Sequence, residues 1–204
     1  YKVGPNVAGW VGKMITSNDG GVTWSSPRDL PEGFLGPVKN KPVLLKDGTL
    51  LCPSSTEGNG WKVHFEATKD KGNTWAKIGP INEGKDLHTI QPSVLTYKDG
   101  SLQILCRTKE RAIAESWSYD NGKTWTPVAK ANMPNNNSGT DAVTLQDGRQ
   151  LLVYNHVLPH DTLKNGKGAR TPLNVAISED GKTWYAALVL EDSPISQYSY
   201  PSVI

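Results

Sequence analysis

The chain has 204 residues, enough for one sizeable core, and its 22 Lys and Arg against 20 Asp and Glu leave a formal net charge of +2. That balance gives no case for nucleic-acid binding, and no run of 18 apolar residues offers a membrane-spanning helix. Twenty Gly, 14 Pro and seven Trp, with no long helical periodicity, point to an all-β protein rich in turns.

From the amino end, YKVG reads as the middle of a strand, followed by the loop VGPNVAGWVG at 3–12 and the octapeptide SNDGGVTW at 17–24. Next comes PVLLKDGTLLC, where Asp47-Gly48 between two apolar runs is a strong hairpin signal. TKDKGNTW follows at 68–75. The order then repeats, with PSVLTYKDGSLQILC around Asp99-Gly100, RAIAESW at 111–117 and SYDNGKTW at 118–125. RAIAESW has modest helix character, but its place before the turn motif makes it a strand. A third round brings DAVTLQDGRQLLVYN around Asp147-Gly148 and SEDGKTW at 178–184. QYSYPSVI then opens another unit and stops before its Asp-Gly turn.

The four turn motifs share Ser/Thr-x-Asp-x-Gly-x-Thr-Trp, the last being one residue shorter between Asp180 and Gly181. The Asp carboxylate can accept N–H groups of its own turn, and the Gly supplies a positive φ. The Thr suits the returning strand, and the Trp buries a large area that pins the hairpin to its neighbours. Trp24, Trp75, Trp125 and Trp184 are therefore expected to be largely buried, and the four Asp to be scaffold. The Trp-to-Trp spacings are 51, 50 and 59 residues (24 to 75, 75 to 125, 125 to 184), which fits a four-stranded propeller blade. Cys52 and Cys106 fall in equivalent hairpin strands, as free buried thiols or as a bridge if their Cα atoms lie within about 7 Å.

With four boxes in register with three Asp-Gly hairpins, the chain resembles the sialidase (neuraminidase) superfamily, whose propeller repeats carry this Asp box. The segments GPVKNKPVLLKDGTLLCPSSTE, RAIAESWSYDNGKTW, NSGTDAVTLQDGRQLLVYNH and QYSYPSVI are most similar to bacterial neuraminidase-like proteins. The resemblance implies a six-bladed β-propeller, which at about fifty residues per blade needs roughly 300 residues. The expected fold is thus an incomplete arc of about half a propeller, a piece of a longer protein. It would comprise a partial blade at 1–30, blades at 31–80, 81–130 and 131–192, and the start of the next at 193–204.

The same resemblance implies a site. Retaining sialidases use a tyrosine nucleophile activated by a glutamate, an aspartate acid/base and three arginines that clamp the substrate carboxylate. Planar guanidinium groups suit a carboxylate, and beside that anion a neutral phenol is a better nucleophile than another carboxylate. Arg107, ending the hairpin of LQILCR, and Arg170, in ARTPLNVAISEDGKTW, match two clamp positions. Tyr198 in QYSYPSVI matches the nucleophile, although Tyr198 and Tyr200 alternate, so that one faces inward and the other outward. Gln91, 16 residues before Arg107, stands where the family has its activating glutamate. An amide cannot take the tyrosine proton, so Gln91 is expected to orient Tyr198 or a sugar hydroxyl. The 3–12 loop, where the acid/base aspartate would lie, holds Asn6 but no carboxylate. His88, Asp141, Tyr154 and His156 complete the expected substrate-binding set.

The leading functional expectation is a glycosidase of exo-sialidase type acting on an acidic sugar. A uronate-directed lyase or unusual glycosidase, using Tyr154, His156 and His88 for proton transfer, is one alternative. A non-catalytic glycan-binding propeller is the other, since both catalytic carboxylates are missing. The expected partner is a glycan or acidic sugar, not nucleic acid or a membrane. No cofactor is implied, and the four histidines show no metal spacing. A secreted or periplasmic location follows if the full-length protein carries a signal peptide.

Overall fold

Each sequence repeat folds into one antiparallel sheet. The computed structural model describes residues 1–6, 9–158, 169–193 and 197–204. The first sheet has three strands, β1 (Lys2–Val3), β2 (Val11–Met14) and β3 (Arg28–Asp29). The second holds β4 (Val43–Leu44), β5 (Leu50–Thr56), β6 (Lys62–Thr68) and β7 (Ala76–Ile78). The third holds β8 (Thr89–Thr96), β9 (Leu102–Thr108), β10 (Ala112–Ser118) and β11 (Ala129–Pro134). The fourth holds β12 (Asp141–Thr144), β13 (Gln150–Tyr154), β14 (Leu173–Ser178) and β15 (Tyr185–Glu191). Strands follow chain order in every sheet, so each is a simple meander, and the four together form an incomplete propeller arc. No α-helix occurs among the described residues, and the AIAESW run is β10.

The two turn signals alternate as the sequence implies. Asp-Gly turns join β4 to β5, β8 to β9 and β12 to β13, where Asp47, Asp99 and Asp147 each accept the amide two residues on, at 2.9–3.0 Å. The Asp boxes join the last two strands of each sheet. In the third box, Asp120 accepts from the Thr124 amide at 2.8 Å and hydroxyl at 2.6 Å, while Ser118 accepts from the Gly122 amide at 2.9 Å. The indole of Trp125 closes the loop by donating to the Gly122 carbonyl at 3.0 Å, and the other three boxes repeat that bond at the same distance. These bonds favour the charged carboxylate, holding Asp70, Asp120 and Asp180 down to about 2, with the Thr74 and Thr124 hydroxyls and the Thr183 amide the largest causes.

Each box after the first also hooks its sheet onto the one before it. Trp125 stacks on Phe65 of the second sheet, with ring centroids 4.3 Å apart and planes 10° apart. A Cβ on Gly122 would meet Leu51 of that sheet at 3.1 Å, and one on Gly72 would meet the Met14 sulfur of the first sheet at 2.5 Å. This hook corrects the expectation of four largely buried tryptophans. Trp75, Trp125 and Trp184 are partly buried, whereas Trp24 is 58% exposed, because its hairpin has no preceding sheet in this chain to rest on.

Two apolar clusters fill the spaces between successive sheets. Leu51, Val63, Phe65, Leu102 and Ile104 lie between the second and third sheets, and Leu95, Leu105, Ile113 and Leu152 between the third and fourth. Each such side chain contributes about 1.5–3 kcal/mol on burial, so the meanders are held mainly by this sheet-to-sheet contact. Cys52 and Cys106 are buried free thiols and form no bridge. Burial, and secondarily Glu66, pushes the Cys52 thiol up to about 12.

Candidate functional site

The site is built where the first strand of each sheet begins. In β8 the pairing with β9 shifts between Ile90 and Ser93, and Gln91 inside that bulge takes φ +58°. Pro92 has no N–H to lose from the ladder, which is why the bulge falls here. Tyr200-Pro201-Ser202-Val203 repeats Gln91-Pro92-Ser93-Val94, and Tyr200 also has φ +58°. Lys39, eight residues before Asp47 as Gln91 is before Asp99, has φ +75°. A left-handed backbone costs a non-glycine residue ~1–3 kcal/mol and persists only where its surroundings impose it, which is typical of functional sites.

Arg107 is the hub. It pairs across from Ile90 in the sheet and is only 5% exposed. Nη1 donates to the Tyr200 hydroxyl at 2.9 Å and to Gln91 Oε1 at 3.3 Å. Nη2 donates to the Asn137 carbonyl at 2.7 Å and side-chain oxygen at 2.9 Å, and Nε reaches the same side-chain oxygen at 3.2 Å. The guanidinium lies 5.3 Å from the Trp61 ring, which also carries Lys109 at 4.5 Å. Burial works against its charge and lowers its pKa, and the Tyr200 hydroxyl works the other way.

Arg170 approaches the same tyrosine. Its guanidinium lies 5.7 Å from the Tyr200 ring centroid, against 5.8 Å for Arg107, and Nη1 donates to Ser199 Oγ at 2.9 Å. Of the expected residues, Arg107, Arg170 and Gln91 are therefore brought together. The tyrosine near both arginines is Tyr200, two residues beyond Tyr198. Tyr198 is tied through its backbone, its amide donating to the Arg170 carbonyl at 2.8 Å and its carbonyl accepting from Asn155 at 3.0 Å.

The other expected residues have different surroundings. Asp141 is buried and accepts from Ser93 Oγ at 3.0 Å, Lys41 Nζ at 3.2 Å and the Val203 amide at 2.9 Å. It thereby joins the openings of the second, third and fourth sheets and the chain's last segment. His88 is held by Glu110, whose carboxylate takes its Nδ1 at 2.7 Å and its amide at 2.9 Å. Tyr154 is part of the core, its hydroxyl bonded to Nδ1 of the exposed His156 and its pKa pushed up to about 12 by burial. Asn137, Trp61, Lys39 and Tyr200 were not singled out as site residues from sequence, and only the shared x-Pro-Ser-Val could have flagged Tyr200. A surface cavity of about 560 Å³ lies elsewhere, between the turns of Asp99 and Asp147, and does not include Arg107.

The sequence profile of the BNR repeat-like domain family matches residues 1–204. The chain belongs to this family. A sialidase of Paraclostridium sordellii is 29% identical over 168 residues, covering 70% of this chain and 40% of the relative. An anhydrosialidase of Macrobdella decora is 28% identical over 191 residues, covering 84% and 22%. The chain thus spans well under half the length of these relatives. Among solved structures, a protein of unknown function from Dyadobacter fermentans superposes with a TM-score of 0.74 at 21% identity, over 95% of this chain and 56% of that one. The NanB sialidase of Streptococcus pneumoniae superposes with a TM-score of 0.68 at 20% identity, over 94% and 30%. At such identities the likeness is one of fold, and it places this BNR repeat-like chain among the sialidase-type propellers.

Proposed function

We propose that this chain supplies the carboxylate-binding and nucleophile-bearing part of a sialidase-like glycosidase site for an acidic sugar. One observation carries the reading: the guanidinium groups of Arg107 and Arg170 lie 5.8 and 5.7 Å from the centre of a single phenol ring, that of Tyr200. Two such groups supply planar donors for a sugar carboxylate and positive charge where a phenol oxygen becomes negative as it attacks. In this reading Tyr200 takes the role expected of Tyr198. Its oxygen bonds to the anomeric carbon as the glycosidic C–O bond breaks, and its proton passes, through water, to the departing glycosidic oxygen. All the N–H groups of Arg107 are directed at protein acceptors, so a ligand carboxylate displaces one of them, the longest bond being that to Gln91 Oε1 at 3.3 Å. Relatives named as sialidases support an acidic sugar of the sialic acid class.

A second reading, glycan binding without turnover, is favoured by Gln91. Its amide accepts from Arg107 beside Tyr200, where proton transfer calls for a carboxylate. One experiment addresses both readings. Incubation with sialyllactose, read by saturation-transfer NMR and by released sialic acid, should show contact with the sialic acid ring that is lost in Arg107→Ala and Arg170→Ala. Neither contact nor release would remove both readings.

A further inference from the structure

The residue after Tyr200 is held by a lysine from the connection that leads into another sheet. Lys39 lies in the connection between β3 and β4, and its Nζ donates to the carbonyl oxygens of Thr140 at 2.5 Å and Pro201 at 2.8 Å. Thr140 directly precedes β12, and Pro201 directly follows Tyr200. One ammonium thereby ties the opening of the second sheet to the opening of the fourth and to the last segment of the chain. It bonds no carboxylate there, because the neighbouring Lys41 takes Asp141. Burial pushes the Lys39 pKa down to about 8, with Asp141 offsetting part of the effect. An ammonium on a flexible stem can reach two carbonyls that converge from different directions, which the planar fork of an arginine cannot do equally well.

Pro201 has no N–H, so its carbonyl is the one backbone hydrogen-bonding group of that residue. Gripping that carbonyl fixes the Pro201–Ser202 peptide, one residue past Tyr200, whose backbone is left-handed. We propose that Lys39 is a positioning residue, fixing Tyr200 in its left-handed turn so that the phenol stays near both Arg107 and Arg170. Its consequence for a sugar rests on the proposed function, but the positioning itself does not.

The test reads Tyr200 directly. The protein is labelled with 3-fluorotyrosine, and the Tyr200 fluorine resonance is assigned by its disappearance in Tyr200→Phe. In Lys39→Met that resonance should shift and narrow towards an unconstrained tyrosine, and Lys39→Gln, which keeps N–H donors, should move it less. Affinity for N-acetylneuraminic acid should fall about tenfold in Lys39→Met, the loss of a charged hydrogen bond. A Tyr200 resonance unchanged in folded Lys39→Met overturns the proposal. A moved resonance upholds the positioning whatever the sugar affinity does, whereas no detectable sugar binding by the unmodified protein removes the sugar reading and leaves the positioning standing. If neither variant folds, reductive methylation of the unmodified protein decides. Lys39 held on two carbonyls reacts last among the lysines, and early modification of Lys39 overturns the proposal.

Discussion

Arg107 Nη1 donates to the Tyr200 hydroxyl at 2.9 Å, joining two residues 93 positions apart. The bond links β9 of the third sheet to a segment that lies past the fourth, so it exists only because the sheets turn around a common axis. It also sets which tyrosine a ligand on Arg107 would meet.

If Tyr200 is the reactive hydroxyl, a 2,3-difluorosialic acid inactivator should label Tyr200 and leave Tyr198 unmodified, as read by peptide mass spectrometry. Fluoride leaves without help from a general acid, so the missing acid/base carboxylate does not block this reaction. Label on Tyr198 would reverse the assignment. For binding alone, Arg107→Ala should weaken N-acetylneuraminic acid by at least about tenfold, the low end of a charged hydrogen bond, and Tyr198→Phe should leave it unchanged.

The chain as it stands should hydrolyse a standard aryl sialoside little or not at all. Gln91→Glu should raise the rate by less than about tenfold, well short of the 10²–10⁴ that a working acid/base group contributes. A glutamate there would pair with Arg107, 3.3 Å from the present amide oxygen, which weakens it as a base. The 3–12 loop would also still lack a carboxylate. A steady-state assay of both proteins tests this, and robust turnover by the unmodified chain would count against it.

Glycines of the Asp boxes should differ sharply in tolerance. A Cβ on Gly181 would lie 1.9 Å from the Tyr97 hydroxyl and 2.6 Å from Gln103 Oε1, at a φ of +72°. Gly181→Ala should therefore cost about 2–4 kcal/mol, from overpacking added to left-handed strain. Gly20, at φ +71°, has nothing within 4 Å, so Gly20→Ala should cost only the strain, roughly 1–2 kcal/mol. Urea midpoints of the two variants compare them, and equal losses would contradict the sheet-to-sheet hook.

Acid should loosen the box turns within a narrow window. The box hydrogen bonds hold Asp70, Asp120 and Asp180 down to about 2 when folded, below the ordinary aspartate range. A depressed carboxylate stabilises the fold above its unfolded pKa, and that contribution disappears as pH falls through the folded value. The effect should therefore appear between about pH 4 and pH 2 and be flat above pH 5. Tryptophan fluorescence followed through an acid titration measures it, since each box indole donates to the carbonyl of its own turn.

How much was legible in the sequence follows from how far apart the interacting residues are. The bonds that close each Asp box span at most four residues, so repeat, turn type and strand order could all be read from the motif. The alternation of Tyr198 and Tyr200 was equally visible, but alternation cannot say which tyrosine faces inward. That choice is made by the bulge-like entry shared by Gln91-Pro92 and Tyr200-Pro201, and by Arg107 closing on the phenol.

The sequence by itself therefore determined an all-β propeller arc and its hairpins, because turn chemistry and strand pairing act between near neighbours. Tertiary structure alone decided that Asp141 joins three sheets, that Asn137 and Trp61 surround Arg107, and that Lys39 grips the carbonyl of the residue after Tyr200. Those contacts depend on how far each sheet rotates about the axis, a quantity set by the sum of all the sheet-to-sheet packing and written in no single motif.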